Sequence, residues 1–84
     1  MEEQDTRLAV IAIVVEDIES APEINTLLHE YGKYIIGRMG VPYPARNISL
    51  ISVAIVAPGD AISALTGKLG RINGVTVKTA YSKV

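Results

Sequence analysis

The chain has 84 residues, 49% of them hydrophobic, and a net charge of −1; this is enough apolar side chain for the core of one small domain and too much for a disordered segment. It has no Cys, which excludes disulfides, thiolate metal sites and thiol catalysis, and with no Phe or Trp its core must be aliphatic. Acids and bases are interspersed without a basic face, which argues against direct binding of DNA or RNA.

The N-terminus, Met1-Glu2-Glu3-Gln4-Asp5, is acidic, the opposite of the leading segment of a signal peptide. Residues 1–6 are expected to form a tail ahead of a single domain over residues 7–84. The longest uninterrupted apolar run, Leu8 to Val15, falls far short of the roughly 20 residues that a spanning helix requires. No membrane partner is expected, and the expected location is the cytoplasm.

Leu8 to Val15 is rich in Ile and Val and bounded by charge, the pattern of a strand buried on both faces. Glu16-Asp17-Ile18-Glu19 reads as a polar connection. A helix is predicted to start at Ser20-Ala21-Pro22-Glu23, because Ser20 and Glu23 have capping-box spacing and Pro22 falls in the tolerant first turn. Ile24, Leu27, Leu28 and Tyr31 then form one apolar stripe, and Gly32 is the expected residue just past the helix end.

Tyr34 to Ala57 reads as two strands around a polar, proline-bracketed loop. Gly37, Gly40 and Pro42 suit the first of these to a sheet edge, and Pro42, Pro44 and Asn47 supply the turn chemistry. The second, Ile48 to Ala57, is strongly β-forming. Pro58-Gly59-Asp60 breaks it, and Asp60 is predicted to cap a second helix with Ile62, Leu65, Leu69 and Ile72 on its apolar face. Asn73-Gly74 makes the turn out, and alternation from Val75 to Ser82 gives a last strand.

The order β-α-β-β-α-β predicts an α+β, ferredoxin-like fold: a four-stranded antiparallel sheet with both helices on one face. The strands beginning at Leu8 and Ile48 should then lie side by side at the centre. Ile11, Ile13 and Val15 would point with Ile51, Val53 and Ile55 toward the helices. The opposite face would carry Val10, Ala12, Val14, Leu50, Ser52 and Ala54, an apolar patch on the order of 500 Å² that the helices cannot cover. Self-association through these residues, as a homodimer or homotetramer, is the expected answer. Ala12, Ser52 and Ala54 are small enough to let two sheets approach closely.

Several motifs have a plainer reading. Thr66-Gly67-Lys68-Leu69-Gly70 fails as a phosphate loop, because no Gly stands five residues before Gly67 and Leu69 replaces the Ser or Thr that would hold magnesium. His29 is the only histidine, and it reads as a solvated helix residue. Asn47-Ile48-Ser49 matches a glycosylation sequon but lacks a secretory context. No metal and no cofactor is expected. Glu16 and Asp17, with Glu19, either offset a helix dipole in a solvated loop or face a cationic ligand. Arg38 lies in a glycine-flanked apolar strand, where a charge needs a partner: a carboxylate across an oligomer interface, or an anionic ligand. Glu16, Asp17 and Arg38 are therefore the candidate ligand-binding residues.

Five segments occur in order: Arg7 to Asp17, Tyr31-Gly32, Ile36-Gly37-Arg38-Met39-Gly40-Val41-Pro42-Tyr43, Ile48 to Ser52, and Ala64-Leu65-Thr66-Gly67-Lys68-Leu69-Gly70-Arg71. In this combination the chain resembles the iron-only hydrogenase system regulator family, small stand-alone proteins related to ACT domains. The resemblance spans nearly all residues from Arg7 to Lys83. It implies an ACT-like regulatory protein, similar also to the C-terminal domain of the nickel-responsive repressor. The loop Glu16-Asp17-Ile18-Glu19 lacks the glycine frequent in amino-acid-binding ACT domains, and the repressor's nickel ligands are absent, so neither ligand carries over.

The implied function is a non-enzymatic, homo-oligomeric sensor in regulation of an iron-only hydrogenase system, with a small molecule or a regulatory protein as partner. The alternative is a protein-interaction module with no small ligand; an enzyme ranks third, for want of a convergent acid–base set. Transcriptional control would require a separate DNA-binding partner.

Overall fold

The computed structural model describes residues 5–84, and Met1 to Gln4 of the expected tail lie outside the described residues. Strand β1 spans Thr6–Val15, helix α1 Ala21–Glu30, β2 Ile35–Tyr43, β3 Ile48–Pro58, α2 Gly59–Gly70 and β4 Val75–Tyr81. The strands form one antiparallel sheet in the order β2-β3-β1-β4, so the two most β-branched strands are central and the glycine- and proline-bearing β2 is an edge. The expected α+β, ferredoxin-like arrangement is the one observed. β1 begins at Thr6.

The core lies between the sheet and the helices. Ile11, Ile13 and Val15 of β1 meet Val53, Ile55 and Ala57 of β3, and Ile24, Leu28, Ile62, Leu65, Leu69 and Ile72 close over them. Each large aliphatic side chain taken from water in this way contributes about 1.5–3 kcal/mol. β1 is not buried on both faces, however. Its inward residues are buried, while Leu8 and Val10 on the other side are 47% and 46% exposed. The apolar run reflects a second face that this chain alone does not cover.

Two helix-end expectations are corrected. Ser20 does not cap α1 through a capping box: its side chain makes no cap hydrogen bond, and its Oγ donates instead to the Asn73 carbonyl oxygen at 2.7 Å. That tertiary bond ties the start of α1 to the turn before β4. Asp17 is the residue that caps, accepting the Glu19 N–H at 3.1 Å at a short 3₁₀ turn over Ile18–Ser20. Gly32 directly follows Tyr31, the C-cap of α1, as expected, but without a left-handed conformation, and Gly32–Tyr34 forms another 3₁₀ turn. Asp60 lies inside the first turn of α2, whose N-cap is Pro58. Proline there costs nothing, because it ends the strand without giving up a needed donor.

The hairpin between β2 and β3 turns at Pro44–Arg46, with Asn47 in the left-handed region at φ 57°. Asn tolerates that conformation better than most residues. Pro42 belongs to β2 itself, which an edge strand permits.

Candidate functional site

The uncovered face of the sheet follows directly from the register. β1 and β3 pair Val10 with Ala54, Ala12 with Ser52 and Val14 with Leu50, and β2 sets Gly37, Met39 and Val41 beside Ala54, Ser52 and Leu50. Paired residues share a face, so these positions form a continuous surface. Its centre is a trough of small residues, Ala12, Ser52, Ala54 and Gly37. Leu50 (48% exposed) and Val41 (46%) border it at one end, and Leu8 borders it at the other. Lys78, opposite Ala12 on β4, is a charge at the margin of this surface. All six residues expected on this face are there.

Arg38 is placed by an irregularity that the strand's alternation does not announce. The β2–β3 register shifts between Ile35 and Gly37, with Ile36 as the extra residue. Such a bulge reverses the phase of the strand beyond it. Met39, Val41 and Tyr43 therefore face outward, and Arg38 stands opposite the fully buried Val53, on the helix side. From there its Nη2 donates to Asn25 Oδ1 on α1 at 2.7 Å.

Below this pair lies a cleft of about 260 Å³ between the start of α1 and the outer half of β2. Gly40, Pro42 and Ile51 line it from the sheet, and Ile18, Ala21 and Ile24 from the helix side. A Cβ built on Gly40 would meet nothing within 4 Å. The missing side chain is part of the space. Ser49 and Asn25 add polar groups to the lining, and Arg38 adds the positive charge.

Glu16 and Asp17 are not in this lining. The Glu16 N–H donates to the Gly74 carbonyl oxygen at 2.7 Å, and Asp17 packs against Gly74, so both are held toward β4. Within one chain the structure thus separates the acidic pair from Arg38. Sequence reasoning reached Arg38 and the opening at Gly40 but missed Asn25 and Ile18. The phase of α1 held the signal for Asn25, which directly follows the buried Ile24.

Lys68 lies on the outer surface of α2 and donates to the Tyr31 hydroxyl at 3.0 Å, joining the two helices. This hydrogen bond raises the lysine pKa above its ordinary value. His29 is exposed near the end of α1. Among the described residues no group of three His, Cys, Asp or Glu is placed to hold a metal ion. None of the described helices is long and apolar enough to cross a membrane.

Residues 7–79 match the model of a family described as "TM1266-like: Iron-only hydrogenase system regulator, putative". The chain belongs to this family. Among solved structures it is similar to the uncharacterized protein TM1266 from Thermotoga maritima, with 37% identity and a TM-score of 0.89 over 93% of this chain and 99% of that one. It is also similar to the ACT domain from GTP pyrophosphokinase of Chlorobium tepidum, at 25% identity and a TM-score of 0.66, covering 90% of this chain and 88% of that one. CPII, a nitrogen regulatory PII-like protein from Thiomonas intermedia, shares the fold at 17% identity and a TM-score of 0.50, over 90% and 94% of the two chains. No curated protein matches the sequence. Membership of this family, together with the likeness to an ACT domain, supports a regulatory role.

Proposed function

We propose that this chain is a non-enzymatic, homo-oligomeric regulatory module of an iron-only hydrogenase system, acting in the cytoplasm and responding to a small molecule held near Arg38. The observation that carries the reading is the uncovered sheet face. An apolar surface on the order of 500 Å² is near the upper range for a monomer, and two copies packed face to face would bury about 1,000 Å² in total, the lower bound of a specific interface. At about 25 cal/mol per Å² this contributes roughly 25 kcal/mol before association and ordering costs. The trough at Ala12, Ser52 and Ala54 gives the backbones room to approach. Glu16 and Asp17 enter this reading only from a neighbouring copy.

Sedimentation at micromolar concentration tests it. Wild type should run as a dimer or tetramer, and Ala54→Arg, which forces an unpaired charge into the interface, should run smaller or aggregate. In a host that carries the hydrogenase system, deletion should alter hydrogenase activity, and the wild-type gene should restore it where Ala54→Arg does not. A monomeric wild type across the concentration range defeats self-association and leaves the second reading, a module whose apolar face binds a different protein.

A further inference from the structure

We infer that the cleft between α1 and β2 is a binding site for a small aliphatic carboxylate that lacks an α-ammonium group. This deepens the sensor reading above by naming the class of ligand. The charge comes first. Arg38 bonds to the neutral amide of Asn25, and no acidic residue lines the cleft. A guanidinium engaged by one amide oxygen keeps most of its N–H donors free in a fork that fits a carboxylate in bidentate fashion. With Asn25 Oδ1 already accepting from Arg38, the Asn25 NH₂ group is left as a further donor beside it.

The rest of the lining sets the body of the ligand. Ile18, Ile24, Ile51 and Pro42 are apolar, and the space beside Gly40 is open. The volume of about 260 Å³ lies just below the range of about 300–1,000 Å³ usual for drug-sized ligands, which selects a small molecule.

The same lining argues against an amino acid. An ammonium carried into this cleft would stand near the Arg38 guanidinium without gaining a carboxylate, since Glu16 and Asp17 are held toward Gly74. A free amino acid would therefore bind less well than the matching acid without the amine. A bare inorganic anion would satisfy Arg38 but leave the apolar walls unfilled.

Titration of the full chain with isovalerate, leucine and inorganic phosphate, followed by amide chemical shifts, tests this directly. Isovalerate should perturb Asn25, Arg38, Gly40 and Ser49 and bind at least tenfold more tightly than leucine or phosphate. Arg38→Gln should weaken isovalerate at least tenfold. Gly40→Val should abolish binding while leaving the melting temperature close to wild type, because the new side chain enters open space in a strand of ordinary backbone conformation. Leucine binding as tightly as isovalerate would overturn the inference, by showing that an acid from elsewhere completes the site. Phosphate binding equally well, isovalerate shifts confined to other residues, no isovalerate binding, or unchanged binding by Gly40→Val would overturn it too. None of these outcomes alters the sedimentation result, so failure here is distinct from failure of the oligomeric reading.

Discussion

Gly74 and Asp17 are packed so closely that a Cβ on Gly74 would stand 2.6 Å from the Asp17 Cβ. Gly74 also has φ +76°, a conformation that other L-residues adopt only at a cost. The contact locks the loop after β1 against the turn before β4, and the Glu16 N–H to Gly74 carbonyl bond completes it. Gly74→Ala is therefore expected to destabilise the fold by about 2 kcal/mol, a fall in melting temperature of roughly 10 °C for a chain of this size, measured by calorimetry.

Ser20 and Glu23 separate a local role from a tertiary one. If the capping box operated, removing either side chain would cost similar amounts. The Ser20 hydroxyl bonds instead to Asn73, so Ser20→Ala should lose about 1 kcal/mol, while Glu23→Ala, at an exposed position, should lose less than about 0.5 kcal/mol. Urea denaturation of both variants checks the asymmetry, and equal losses would restore the capping box.

The Lys68–Tyr31 hydrogen bond makes a statement about pH. Because the lysine pKa is raised in the folded chain, principally by that bond, its contribution is fully present below the unfolded lysine value and is lost as pH rises through the folded one. Tyr31→Phe should bring the Lys68 titration back down toward the ordinary range. Side-chain nitrogen NMR of Lys68 in both proteins reads this, and an unchanged midpoint would show that the hydroxyl is not the cause.

Metal is expected to be no structural requirement. With no Cys and a single His in the chain, no closed ligand set of the usual structural kind can be assembled from one copy. A chelator should leave the melting temperature unchanged. A large fall reversed by one particular metal would contradict this.

Much of the fold was legible in the chain itself, for a clear physical reason. Apolar periodicity, breakers and turn residues act locally, and they named the strands, both helices and the core faces built from Ile11, Ile13, Val53, Ile55, Leu65 and Leu69. The outward face at Val10, Ala12, Leu50 and Ala54 followed from the same alternation once β1 and β3 were central.

Helix ends and the cleft were another matter. Ser20 had a local partner in its spacing and a stronger tertiary one in Asn73, 53 positions away, and only the packed chain brings that carbonyl within reach. The bulge at Ile36 reversed the phase of β2, turning Arg38 from the face its alternation suggests toward α1 and Asn25. A bulge is an extra residue in one strand measured against its partner, so it exists only in the pairing of β2 with β3. The sequence by itself determined which residues must be hidden; the tertiary structure alone decided which way Arg38 points and what stands beside it.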